Sequence, residues 1–396
     1  MESNPSTKVC ITPTPWRSGN HFELLPDGDR FFPRIIEAIE SAHSTIEIEM
    51  YLVASGQVAN RFVDALSRAA ARQVRVRFLL DHVGSHDFNQ HDRNKLRESG
   101  VAVRFYNRLH KDKKFINLAR DHRKIIVIDD QRAFVGGAGI TDKFDPNTSH
   151  QHAWRELMIE IQGPVVGDWK RLFEHVWSTF KSPYSTQNWR EKIQQYRLSF
   201  FDKTQFPPTT PHARINGSRG FGSDPIKGAL INQLRNAKKR AWISTAYFYP
   251  SRKLRREIKK AAMRGVDVRL LLPGAKTDHP SVRYAGQALY SKLLKHDVRI
   301  FEYQPRFLHM KVALIDDWSS IGSCNFDRWN LRWNLEANQE IIDANFSKKV
   351  EHMLLQDFTH CHCIDDKSWS SRSWFQQFRE LFWSTIGGVI AKLFFH

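Results

Sequence analysis

At 396 residues the chain is long enough for two or three domains with a sizeable core, and 41% hydrophobic with 26% charged residues excludes a disordered or fibrous protein. Sixty Lys and Arg against 42 Asp and Glu leave a net charge of +18, which points to an anionic partner, either nucleic acid or acidic lipid headgroups. Cys10, Cys324, Cys361 and Cys363 are too few and too unevenly placed for a disulfide framework, so a reducing compartment is expected. Residues 1–8 contain no apolar segment of the signal-peptide kind, and no run of 18 apolar residues is present to span a bilayer.

Residues 1–18 are rich in Pro, Ser and Thr and are expected to be flexible. From there Phe31, Ile35, Ile36 and Ile39 fall on one face of a predicted helix, followed by a strand over 46–53. A helix over 58–72, a strand over 74–80, a helix near 93–99 stopped by Gly100 and a strand over 101–106 come next. A basic stretch at 110–114 follows. The same order then returns: helix 226–239, strand 241–248, helix 254–264, strand 266–272, helix near 284–295 and strand 297–303. Even phrases recur, with Arg72-Gln73-Val74-Arg75-Val76-Arg77 matching Arg264-Gly265-Val266-Asp267-Val268-Arg269. Strands alternating with helices argue α/β layers. Two such runs, joined by the polar segment 181–215, argue a duplicated pair of α/β domains over 19–212 and 213–365, each a mixed sheet flanked by helices.

Each run ends in the same pattern, His-x-Lys-x4-Asp: His122, Lys124 and Asp129 in the first, His309, Lys311 and Asp316 in the second. An apolar strand-like segment lies inside each copy, and a glycine-containing turn follows at 136–139 and 322–325. In an extended segment side chains alternate, so each His and Lys pair shares a face. Two histidines and two lysines brought into one pocket suit phosphodiester chemistry. One imidazole attacks phosphorus, the other protonates the leaving alkoxide, and the lysines hold the charge that builds on the non-bridging oxygens.

The duplicated motif resembles the phospholipase D superfamily, and the similarity runs over roughly residues 20–343. Gly322-Ser323-Cys324-Asn325 fits that superfamily's Gly-Ser-x-Asn turn, and Asn334-Leu335-Glu336-Ala337-Asn338 looks like a segment of bacterial cardiolipin synthases, especially the shorter B type. The resemblance implies two phospholipase D-like domains with one active site at their interface, needing no metal or cofactor. It makes one histidine the nucleophile, with His122 the favoured one, and leaves His309 as the acid that then becomes the base. An acidic residue downstream in each half, Glu156 and Glu336, would fix an imidazole tautomer. Asp129 and Asp316 would brace the pocket, and Gly137, Ser323 and Asn325 would bind phosphate. Two departures stand out: Gly139 replaces the usual Asn, and five residues instead of six separate Asp316 from Gly322.

The implied activity is cardiolipin synthesis: phosphatidyl transfer between two phosphatidylglycerol molecules through a phosphohistidine, releasing glycerol. Phosphatidylglycerol and cardiolipin would be its lipid partners, with no nucleic acid, at the cytoplasmic face of a bacterial inner membrane. A phospholipase D-type hydrolase, a nuclease or other phosphodiesterase, and a non-catalytic lipid-binding module are the alternatives. Residues 366–396 carry an apolar stripe including Trp374, Phe378, Phe382, Ile386 and Ile390, interrupted by Gly387-Gly388. It suits an amphipathic tail lying in the membrane interface, or a helix docked on the body. Tyr247 and the pair Trp329 and Trp333 are further candidates for the pocket mouth or for acyl contact, and the role of Glu49 is open.

Overall fold

The structure is a computed structural model that describes residues 13–109, 117, 119–178, 211–218, 225–326, 334–373 and 382–383. In the first half, β1 (His21–Pro26), α1 (Gly28–Glu40), β2 (Thr45–Met50), α2 (Gln57–Ala71), β3 (Arg75–Asp81), α3 (Gln90–Glu98) and β4 (Ala102–Tyr106) come first. They are followed by β5 (Lys124–Ile128), β6 (Arg132–Gly136), the short α4 (Pro146–Ser149), β7 (Leu157–Gln162) and α5 (Val166–Ser178). The sheet order is β1-β7-β6-β5-β2-β3-β4, with β2, β3 and β4 parallel and the remaining pairs antiparallel.

The second half repeats this with β8 (His212–Gly217), α6 (Pro225–Asn236), β9 (Arg240–Ser244), α7 (Arg252–Met263) and β10 (Asp267–Pro273). Then come α8 (Pro280–Gln287), α9 (Tyr290–Leu294), β11 (Arg299–Tyr303), β12 (Val312–Ile315), β13 (Trp318–Gly322), β14 (Ala337–Ile342) and α10 (Ala344–Thr359). Its order, β15-β11-β10-β9-β12-β13-β14-β8, is that of the first sheet with one strand added, β15 (Cys361–Ile364). Cys361, His362 and Cys363 thus lie on an edge strand, antiparallel to β11. No described helix is long and apolar enough to cross a membrane.

Side-chain alternation explains how the layers stack. On β5, Ile126 and Ile128 face α1 and α2, while Ile125 and Val127 face the other half. On β12, Ala313 and Ile315 pack toward α6 and α7, while Val312 and Leu314 point back across. The resulting central cluster joins both sheets with Trp169 and Leu172 of α5 and Val350 and Leu354 of α10. Each such aliphatic group withdrawn from water contributes about 1.5–3 kcal/mol. Trp169 Nε1 also donates to Gln339 Oε1 across the boundary at 2.8 Å.

Two expectations change. Residues 14–17 are not loose: Thr14 N donates to Ile215 O at 2.9 Å, Arg17 N donates to Ala213 O at 2.8 Å, and Arg17 pairs with Asp168 at 2.5 Å. The helix expected near 284–295 is two helices, α8 and α9. The start of the expected tail, α11 (Asp366–Ser370), docks on the body, with Trp369 buried against Tyr290 at a ring separation of 4.9 Å. Residues 374–381 and 384–396, like Trp329, Trp333 and the basic stretch 110–114, lie outside the described residues.

Candidate active site

The chain enters each motif by pairing with the opposite half. His122 N donates to Leu335 O at 2.9 Å and Leu335 N to Arg120 O at 2.8 Å. Symmetrically, His309 N donates to Arg155 O at 2.8 Å and Arg155 N to Phe307 O at 2.7 Å. These two short parallel bridges set the residue after each partner, Glu336 and Glu156, beside the imidazole of the other half.

The carboxylates are therefore exchanged. His122 Nδ1 lies 2.9 Å from Glu336 Oε1, and His309 Nδ1 lies 2.5 Å from Glu156 Oε2. In each case the Nδ1 proton is held by a carboxylate, leaving Nε2 for chemistry. Both histidines, both lysines and both glutamates are thus gathered in one place.

The supports differ between the two sides. Asp27, just beyond β1, accepts from Glu156 N at 3.3 Å and from Arg155 Nη1 at 2.8 Å. Arg155 reaches on to Asp357 at 2.9 Å, tying the glutamate's neighbour to α10. After β8, the matching place is held by Ser218, whose hydroxyl accepts from Glu336 N at 3.0 Å and donates to Asn334 O at 2.7 Å.

The site is buried and its charges are correspondingly perturbed. Burial lowers the His122 imidazole, opposed by Glu336, and holds His309 well below its ordinary value with help from Lys311 and Lys124. Burial likewise pushes Lys124 down to about 7 and Glu156 up to about 7. Lys124 Nζ donates to His122 O at 2.5 Å and lies 5.1 Å from the Tyr51 ring centre. Lys311 Nζ sits 3.0 and 3.1 Å from the two ring nitrogens of His309.

Aromatic rings close both histidines in. Tyr51 packs on His122 at 4.6 Å, while Trp154, Phe144 and Phe307 surround His309 at 5.0, 5.6 and 5.7 Å. The sequence reading missed these rings. Their signal was adjacency, since Tyr51 follows Glu49-Met50, Trp154 precedes Arg155-Glu156 and Phe307 precedes Leu308-His309. Glu49 is buried and pairs with Arg123 at 2.6 Å, inside the first motif. Tyr247 stands farther out, 6.4 Å from the Phe307 ring, with its hydroxyl donating to Asp278 at 2.6 Å.

The turns after the motifs are unequal. Ser323 Oγ donates to Glu336 Oε2 at 2.5 Å, and Asn325 is buried with both amide atoms unpartnered among the described residues. At Gly137 an added Cβ would overlap Glu156 Oε2, so this glycine makes room for the carboxylate. At Gly139 it would overlap Leu52 O, because Ile140 N donates to that carbonyl at 2.9 Å and draws the two segments together. The usual Asn does not fit where this backbone closes in.

Asp129 and Asp316 do not brace the pocket. Each sits at the far end of its strand, about 16 Å from the lysine that starts the five-residue rise. Asp129 accepts from the backbone N–H groups of His43, Ser44 and Thr45 at 2.8–2.9 Å. Asp316 accepts from those of Lys238, Lys239 and Arg240 at 2.9–3.1 Å. The residue missing between Asp316 and Gly322 belongs to the same distal hairpin, where Ile315 pairs with Trp318 but Ile128 pairs with Arg132. The shortening leaves the 322–325 turn untouched.

Comparisons with known proteins agree with this construction. The family described as "Cardiolipin synthase, PLD-like domain" matches residues 35–177 and 230–358. Cardiolipin synthase B of Salmonella typhimurium is 34% identical over 366 residues, 91% of this chain and 86% of that protein. Cardiolipin synthase A of Pseudomonas entomophila is 32% identical over 87% of this chain and 70% of its own length. The crystal structure of the phosphatidylserine synthase of Haemophilus influenzae superposes with a TM-score of 0.71 at 14% identity, covering 94% of this chain and 93% of that one, and shares the fold. The chain belongs to the cardiolipin synthase family of phospholipase D-like proteins.

Proposed function

We propose that this protein is a cardiolipin synthase that moves a phosphatidyl group from one phosphatidylglycerol to another, working peripherally at the cytoplasmic face of a bacterial inner membrane. The observation that carries the reading is the single buried site in which each motif histidine is held by the other half's glutamate.

His122 is the nucleophile. Its side chain is the more exposed of the two, 13% against 8%, and while both lysines bond the main chain of their histidine, Lys311 also lies against both ring nitrogens of His309. Nε2 attacks phosphorus, the P–O bond to the headgroup glycerol breaks, and His309 Nε2 delivers the proton to that oxygen. His309 begins neutral because burial and two lysines disfavour its charged form. The entering phosphodiester anion offsets those lysines and favours the imidazolium, so His309 Nε2 takes up a proton from solvent as substrate binds and returns one to solvent after the second transfer. Neutral again after donating, His309 takes a proton from the hydroxyl of a second phosphatidylglycerol, which displaces His122 and forms cardiolipin.

Lys124, Lys311 and the Asn325 amide, unpartnered among the described residues, stabilise the phosphoryl oxygens. Gly137 makes room for the Glu156 carboxylate rather than a phosphate contact, because its N–H donates to Leu157 O at 3.3 Å. Incubation with headgroup-labelled phosphatidylglycerol tests the reading: equal amounts of cardiolipin and glycerol support it. Phosphatidic acid as the sole lipid product would make the protein a hydrolase.

A further inference from the structure

The duplication supplies an internal comparison between the outer helices of the two halves. On α2 the cations are matched by carboxylates: Arg61 pairs with Asp145, and Arg68 with Glu40. The equivalent helix α7 carries Arg252, Lys253, Arg255, Arg256, Lys259 and Lys260 against one acid, Glu257. Glu257 is buried and already shared by Arg235 and Arg256.

A groove of about 210 Å³ lies beside α7, lined by Arg252, Arg255, Arg256, Lys259 and Lys292 over Leu289 and Leu293 of the α8–α9 region. Burial and the neighbouring Arg252 disfavour the charge on Arg255, whose Nε is buried without a hydrogen-bond partner among the described residues. An anion in the groove would answer both. At helical spacing Arg252, Arg256, Lys259 and Met263 form one stripe, and Met263 is 69% exposed.

We infer that this groove binds the phosphate headgroups of anionic phospholipids and docks the second half on a membrane surface. Cations above an apolar floor, continued by an exposed methionine, match headgroups overlying acyl chains. Nucleic-acid tracks add aromatic rings for base stacking, and none lines this groove. The inference rests on the lipid-substrate reading and adds to it a binding surface separate from the histidine site.

The test compares the wild type, R252A/R256A/K259A and the charge-matched control R97A/K348A/K349A. Binding is measured by co-sedimentation with phosphatidylglycerol–phosphatidylcholine vesicles, and turnover on soluble dihexanoyl phosphatidylglycerol. The groove variant is expected to bind anionic vesicles roughly a hundredfold more weakly, with wild-type turnover of the soluble lipid and an unaffected control. Equal binding by wild type and groove variant, or equal losses in variant and control, would overturn the groove while leaving the lipid reading intact. No turnover of the soluble lipid by the wild type would overturn both. Release of the vesicles by millimolar inorganic phosphate at constant ionic strength would overturn membrane docking in favour of a soluble phosphate ligand. Tighter groove-dependent binding to duplex DNA than to vesicles would overturn it in favour of nucleic acid.

Discussion

His309 and Glu156 stand in different halves of the duplication, yet their side chains meet at 2.5 Å, and His122 meets Glu336 in the same exchanged manner. Neither half can orient its own imidazole. This exchange gives a physical reason for the two motifs to act as one site.

Replacing either glutamate by glutamine is expected to lower kcat by about 10²–10⁴-fold with little change in KM, as loss of an orienting carboxylate does elsewhere. The exchange itself is read from double mutants. Glu156→Gln should add almost nothing to His309→Ala, and Glu336→Gln almost nothing to His122→Ala. Coupling within each half instead would contradict the pairing.

Asp129→Asn is expected to weaken folding by about 1–3 kcal/mol while sparing kcat at permissive temperature, because the carboxylate serves three backbone N–H groups. Partial burial raises its folded pKa, but those N–H bonds outweigh burial and hold the pKa below the ordinary value. Its contribution is therefore full above the unfolded carboxylate range and is lost as pH falls through the depressed folded value. Urea melts of both proteins should converge at low pH, and a gap that widened on acidification would refute this role.

The motif, the repeat and the strands leading into each motif were legible in the sequence because strand and helix patterns recur in the same order and His122 and His309 open equivalent apolar runs. Three things were not. Spacing within a half says nothing about which histidine a glutamate reaches. Asp129 and Asp316 looked like pocket residues because they are close in the motif, but an extended strand carries them away. The segments 21–26 and 212–217, which became β1 and β8, have weak alternation and are strands because β7 and β14 offer them an edge.

Restoring the family's usual residue should not improve this protein. Gly139→Asn places a Cβ against Leu52 O, so it is expected to lower thermal stability and leave activity no higher than wild type. A gain in kcat would show that the first turn has room for a phosphate contact.

The pH profile follows from the buried cations. Lys124 must be charged to hold phosphate, and burial sets it near 7, so its ionisation should steepen the fall of kcat/KM as pH rises through about 7, beyond the fall the depressed His309 acid imposes at lower pH. The bound phosphodiester favours the ammonium, so the corresponding limb in kcat should lie at higher pH. His122 must be neutral to attack, and burial lowers its pKa, which places the acid limb below the usual histidine range. Stopped assays on phosphatidylglycerol across about pH 5–9 would resolve the limbs; coincident alkaline limbs would contradict the role given to Lys124.

The most direct test of the account is to trap the covalent intermediate. The protein is mixed with phosphatidylglycerol, quenched in alkali within one turnover to protect the P–N bond, digested and sequenced by mass spectrometry. The account predicts a phosphatidyl adduct on His122, absent from His309 and lost in His122→Ala. An adduct on His309, or cardiolipin formed by His122→Ala, would contradict it.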